Sequence, residues 1–224
     1  MSEETWSAVD SYLTELLLAP DPALESVLQA SADAGLPAIQ VSPLQGKLLW
    51  LLARAQRATR ILEVGTLGGY STIWMARALP TGGHLVTLEL DPTYAEVARA
   101  NLSAAGLGEM VEVRLGPAAD TLAQLVADGG EPFDLVFIDA DKAGIPEYFR
   151  LAHRLSRPGT VILIDNVVRR GAVLDAASSD PDVQGVRRFN GLVAVTRGVS
   201  ATTIQTVGVK GHDGLALVLV TAPP

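Results

Sequence analysis

The chain has no cysteine in its 224 residues. That excludes a disulfide framework and any thiolate metal site. Histidine is nearly absent too. His84, His153 and His212 are scattered, and no two stand at ligand spacing. Aromatic residues make up only 5 % of the chain, and no apolar run is long enough for a signal peptide or a transmembrane helix. A soluble, cytoplasmic protein with no membrane partner is the expectation. Positive charge is also short: the formal net charge is −8, and Arg169-Arg170 and Arg187-Arg188 are isolated pairs rather than a basic stripe. The bulk field repels polyanions, so nucleic acid is not the expected partner. There is no repeat, low-complexity tract or internal linker. The length and apolar content fit a single domain over 1–224, with an N-terminal helical segment over 1–40.

What is present alternates. Trp6, Val9, Leu13, Leu16 and Leu17 recur at helical spacing over 4–18. Asp21-Pro22 supplies an N-cap and a first-turn proline, and Gly35-Leu36-Pro37 a stop. Ser42-Pro43-Leu44-Gln45 opens a third helix, expected over about 43–57. The period then changes. Arg60–Val64, Leu85–Leu90, Val111–Leu115, Leu135–Ile138 and Thr160–Ile164 are short apolar runs separated by helical segments of roughly a dozen residues, with Asp91-Pro92 and Gly106 bounding one of them. That is the βαβ pattern of a parallel sheet covered on both faces. Thr202–Val207 and Leu215–Thr221, separated by Gly208, Gly211 and Gly214, must be antiparallel, because the connection is too short for a crossover. The expected fold is α/β, doubly wound, with a mostly parallel seven-stranded sheet ending in an antiparallel hairpin, and extra N-terminal helices.

Two strand ends carry chemistry. Phe133-Asp134-Leu135-Val136-Phe137-Ile138 runs into Asp139-Ala140-Asp141-Lys142, and Thr160-Val161-Ile162-Leu163-Ile164 runs into Asp165-Asn166. Asp and Asn are depleted in strands. Two such tips side by side place hard oxygen ligands where open α/β sheets bind ligands. All-oxygen ligation suits Mg²⁺, Mn²⁺ or Ca²⁺ over zinc. The competing reading is that Asp139 only caps the next helix and Asn166 only makes a turn; the second acidic tip argues against it. Asp141 reads as an outward residue or a partner of a ligand.

Ile61-Leu62-Glu63-Val64-Gly65-Thr66-Leu67-Gly68-Gly69-Tyr70-Ser71 is a strand, a glycine-rich turn and a helix start. The spacing is not G-x-G-x-x-G, which counts against a dinucleotide and hence against an NAD-dependent dehydrogenase. Glu63 before the turn suits a cationic ligand. Glu89 closes the second strand, where a carboxylate accepts from both ribose hydroxyls. A nucleoside with a cationic group answers both, and S-adenosylmethionine is such a molecule.

With these residues placed, the chain resembles the cation-dependent O-methyltransferases of the caffeoyl-CoA and catechol O-methyltransferase type, bacterial branch, from about Val41 to Leu219. The likeness rests on Leu62-Glu63-Val64-Gly65-Thr66 with Gly69-Tyr70-Ser71, on Phe133-Asp134 with Asp139-Ala140-Asp141-Lys142, and on Asp165-Asn166 with Gly171. Arg188-Phe189-Asn190 and Asp213-Gly214-Leu215 look like late signatures of the same family. The resemblance implies the class I S-adenosylmethionine-dependent methyltransferase fold and methyl transfer to a vicinal dihydroxy, catechol-like acceptor. It implies a divalent metal, Mg²⁺ first, on Asp139, Asp165 and Asn166, with Lys142 as the base. It places the cofactor by Val41, Glu63, Gly65, Ser71, Glu89, Ala118 and Asp139, and it implies a homodimer. Relatives of the fold also methylate a wobble hydroxyuridine in tRNA, against which the acidic charge argues. A non-catalytic S-adenosylmethionine sensor is disfavoured by the intact Asp-x-x-Lys and Asp-Asn elements. The Arg169–Asp182 stretch, expected to border the acceptor, is rich in Ala and Ser and gives no pocket shape.

Overall fold

The computed structural model describes residues 2–224. Helices α1 (Glu3–Leu17), α2 (Pro22–Asp33) and α3 (Pro43–Ala55) precede the sheet. Then follow β1 (Arg60–Val64), α4 (Tyr70–Ala76), β2 (His84–Glu89), α5 (Pro92–Ala104), β3 (Val111–Leu115), α6 (Ala118–Asp128), β4 (Phe133–Ile138), α7 (Ile145–Arg154), β5 (Ser156–Asp165), α8 (Pro181–Val195), β6 (Val199–Gly208) and β7 (Gly211–Val220). Short 3₁₀ turns occupy Lys142–Gly144 and Arg169–Leu174. The chain folds as two compact units, Ser7–Pro117 and a second built on Ala118–Pro224 with the first few residues. They contribute three and four strands to the seven-stranded, mostly parallel sheet that the apolar runs require.

In the first unit β1, β2 and β3 are parallel, with Arg60 opposite His84 and Leu85 opposite Val111. Beyond partly exposed Arg60 and His84, every residue of β1 and β2 is buried, so both faces are covered. The helix signals work as local chemistry. Asp21 accepts from Leu24 N–H, Ser42 from Gln45 N–H, and Asp91 from Thr93 and Tyr94 N–H, each followed by proline in the first turn. The third helix stops two residues short of the expected 57. Helix α4 is seven residues long rather than a dozen. Gly46 lies buried in α3 because a Cβ there would sit 2.4 Å from the Trp74 ring of α4.

In the second unit β4 and β5 are parallel, with Leu135 opposite Val161 and Ile138 opposite Ile164. Strand β5 begins four residues earlier than its apolar run. Thr160 explains this: its hydroxyl donates to the Phe133 carbonyl at 2.6 Å and accepts from Arg157 N–H at 3.0 Å, closing an irregularity in the register. Strands β6 and β7 pair antiparallel along all ten residues, from Val199 opposite Val220 to Gly208 opposite Gly211. The hairpin is longer than expected because Gly214 is part of β7 and not of a turn. A Cβ at Gly214 would lie 2.5 Å from Val168 Cγ2, so that glycine serves close approach.

Candidate active site

The glycine-rich turn is built as the sequence requires. Gly65 (φ +100°) and Gly69 (φ +84°) adopt backbone open to glycine, while Gly68 lies against α2, where a Cβ would meet Ser31 Oγ at 2.1 Å. Asn101 Nδ2 on α5 donates to the Gly68 carbonyl at 2.9 Å and fixes the turn from behind. Val41, just before the cap of α3, is buried.

Glu63 is fully buried, and its carboxylate faces hydroxyls. Ser71 Oγ donates to Oε1 at 2.6 Å; Thr72 Oγ1 and Thr87 Oγ1 donate to Oε2, the latter at 2.7 Å. Thr66 and Thr87 hydroxyls are 2.6 Å apart and extend this network. Glu63 thus fastens the first turn of α4 to β1 and β2. Glu89, 8 % exposed, does equivalent work with backbone. One oxygen accepts from Thr66 and Leu67 N–H (3.2 and 2.8 Å), the other from Leu90 and Asp91 N–H (2.8 and 2.9 Å). A single carboxylate therefore organises both the glycine turn and the exit from β2. Tyr70 is buried next to the turn, which pushes its phenol pKa up.

The acidic strand tips fall into register. Ile138 and Ile164 are partners on adjacent parallel strands, so Asp139 and Asp165, each one residue further, stand at equivalent positions about 4.8 Å apart along the hydrogen-bonding direction. Asp165 is buried and its Oδ1 accepts from Asn166 N–H at 2.8 Å. Asn166 itself is left-handed, φ +60°, a region Asn tolerates better than most residues. Lys142 is buried, and its Nζ donates to Asp139 Oδ1 at 2.7 Å. Asp141 points away: it accepts from Gly144 N–H at 2.8 Å and from the Tyr148 hydroxyl at 2.5 Å, holding the turn that carries Lys142. Burial, reinforced by that carboxylate, drives the Tyr148 phenol pKa far upward. Two carboxylates and an amide oxygen at these positions would make a hard, oxygen-only donor set, which fits Mg²⁺ or Mn²⁺. Among the described residues no three His, Cys, Asp or Glu side chains converge on one point; a set of three here would have to include Asn166.

Ala118 opens α6, at a position whose N–H has no acceptor within the helix. The stretch expected to border an acceptor forms the Arg169–Leu174 turn. Arg169, Arg170, Ala172, Asp180, Val183 and Asp213 line a polar cleft of about 150 Å³ there. Three roles were not legible in the sequence. Thr87 reaches Glu63 only because β1 and β2 are neighbours in register. Gly185 of α8 is required because a Cβ would lie 2.1 Å from the Lys142 carbonyl oxygen. Asp213 was recognisable as part of a signature, but its contacts across the chain were not.

The first unit carries a buried glycine turn closed by strand-end carboxylates and the second a pair of acidic strand ends, the elements of a methyltransferase-type α/β fold. The family model described as O-methyltransferase matches residues 18–220, so the chain belongs to that family: it is an O-methyltransferase, an enzyme that moves a methyl group onto a hydroxyl oxygen. A catechol O-methyltransferase of Niastella koreensis is 54 % identical, the alignment covering 98 % of this chain and all of the relative. The O-methyltransferase of Bacillus cereus in complex with SAH is 55 % identical at a TM-score of 0.97, covering 98 % of this chain and 100 % of that one. The O-methyltransferase TomG of Streptomyces achromogenes, involved in tomaymycin synthesis and solved with SAM, is 52 % identical at a TM-score of 0.95, covering 99 % and 100 %.

Proposed function

We propose that the chain transfers the methyl group of S-adenosylmethionine to one hydroxyl of a vicinal dihydroxy, catechol-like small molecule held on a divalent cation, Mg²⁺ in the first instance. The observation that carries this reading is the matched register of Asp139 and Asp165, with Asn166 beside them. The relatives solved with SAM or SAH support the donor. The name of the Niastella relative supports the acceptor class.

On this reading Glu89 meets the ribose and Ala118 N–H the adenine. Val41, Gly65 and Ser71 hold the methionine part, and Glu63, which donates nothing and accepts from Ser71, keeps that hydroxyl aimed. Asp139, Asp165 and Asn166 hold the cation, with Asp139 also able to accept from the donor's amino group. The bound cation supplies charge to stabilise an ionised hydroxyl and a fixed angle of approach. Lys142 is the proton acceptor of the reaction. Its Nζ donates to Asp139 Oδ1 at 2.7 Å, which keeps it beside the residues that would hold the cation.

The test is methyl transfer to a simple catechol with and without EDTA. Activity should vanish in chelator, return with Mg²⁺, and fall about a hundredfold in Asp165→Ala. Full turnover in chelator sinks the metal role, and wild-type, Mg²⁺-dependent turnover in Asp165→Ala sinks that ligand. We also propose a homodimer. Tyr12, Leu16 and Leu17 of α1 and Ile204 and Val207 of β6 are more than half exposed, more apolar surface than an isolated copy needs to leave open.

A further inference from the structure

We propose that Asp213 is a positioning residue that fastens the segment behind Asp165-Asn166 and so sets the pose in which that pair meets a divalent cation. The inference rests on the metal reading given above. Asp165 is opposite Leu215 in the β5–β7 ladder, so Asp213 lies just beyond the tip of β5, where the chain leaves the sheet. One carboxylate oxygen, Oδ1, accepts from Val168 N–H, Arg169 N–H and its own neighbour Gly214 N–H, all at 2.9 Å. The Gly214 carbonyl accepts from Val167 N–H at 3.0 Å. The three residues following Asn166 are thus held, one after another, by two adjacent residues of β7.

That segment would not rest there unaided. Asn166 (φ +60°), Arg169 (φ +54°) and Arg170 (φ +54°) are all left-handed without being glycine, a conformation that L residues adopt at a cost and keep only where the surroundings impose it. Gly214 completes the clamp, since its missing side chain lets Val168 lie directly on β7. Asp165 Oδ1 ties the near end of the pair through Asn166 N–H, and Asp213 ties the far end. With the far end released, Asn166 relaxes out of its left-handed state and its amide leaves the line of the two carboxylates. Three N–H groups on one oxygen call for a full negative charge. An amide oxygen at the same place would hold them less well.

The experiment is a direct Mn²⁺ titration of the full chain, read by loss of the free-ion electron paramagnetic resonance signal. It is run on the wild type, Asp213→Ala, Asp213→Asn and Asp165→Ala, with S-adenosylmethionine binding measured separately by calorimetry. Asp213→Ala should weaken Mn²⁺ binding by about 10- to 100-fold with cofactor affinity unchanged. Asp213→Asn should lose less, because Oδ1 is retained. At saturating Mn²⁺ the kcat of both should recover while the KM for metal stays raised. Wild-type Mn²⁺ affinity in Asp213→Ala overturns the proposal; should that variant not fold, wild-type affinity in Asp213→Asn does so. Asp165→Ala binding Mn²⁺ as tightly as the wild type sinks the metal reading itself, and the positioning role falls with it.

Discussion

Single residues in this enzyme carry more than one duty, and buried carboxylates show it best. Glu63 has no exposure and accepts from three hydroxyls. Glu63→Gln turns an all-acceptor group into one whose NH₂ must face hydroxyls that now donate to it. It should cost about 1–3 kcal/mol in urea unfolding and raise the KM for S-adenosylmethionine. Unchanged unfolding would mean that the hydroxyls rotate to accommodate the amide. His153 offers a pH test. It stacks on Phe149, ring centroids 6.0 Å apart, and its Nε2 is buried without a hydrogen-bond partner. Burial lowers its pKa below the usual 6.5. The unfolded chain therefore takes up a proton that the folded chain refuses, and stability rises with pH across that interval. Unfolding free energy should fall as pH drops below about 6.5 and on toward the lowered pKa. In His153→Phe that part of the slope should disappear, and an identical slope in the variant would assign it to other groups.

Elements are joined by glycines that sequence periodicity treats as interruptions. Gly185 lies in α8, where an added Cβ would be 2.1 Å from the Lys142 carbonyl oxygen and 2.7 Å from Ala143 Cα. The helix is thereby seated on the turn that carries Lys142. Gly185→Ala must push helix and turn apart, at about 1–3 kcal/mol. Turnover should fall with it, while calorimetric cofactor affinity, which the proposed function assigns to the glycine turn, holds. Loss of both together would make Gly185 a folding residue only. Helix starts were legible because Asp21, Ser42 and Asp91 act on backbone within three residues of themselves. The extent of β5 and of the β6–β7 hairpin was not. Ser156–Gly159 has no strand pattern of its own and is drawn into β5 by Thr160 and by pairing with Phe133. Gly208, Gly211 and Gly214 read as turn residues, yet Gly214 is a strand residue chosen for its lack of a side chain.

At the scale of the whole molecule, net charge and uncovered apolar surface decide the company it keeps. The formal charge of −8 predicts no measurable tRNA binding at physiological salt, and no helix among the described residues is long and apolar enough to cross a membrane. Helix α1 follows the amphipathic spacing of its sequence, but none of its residues is buried. Its apolar face is thus available to a second copy. Sedimentation should give a dimer, and Leu16→Glu with Leu17→Glu should shift it toward monomer with the fold retained. A wild-type monomer at micromolar concentration would remove the dimer from the account.

The sequence by itself determined the alternation of strands and helices, the caps, the glycine turn and the acidic strand tips. These depend on periodicity and on contacts a few residues long, which a linear reading captures. Family membership was legible too, because the motifs keep their order. Only the tertiary structure decided which strand ends are level, that Glu89 spends its carboxylate on four backbone N–H groups, that Asp141 turns to Tyr148, and that Asp213 reaches back some 45 residues to Val168. Those facts come from register and close packing between segments distant in sequence, and neither is encoded in the spacing of either segment alone.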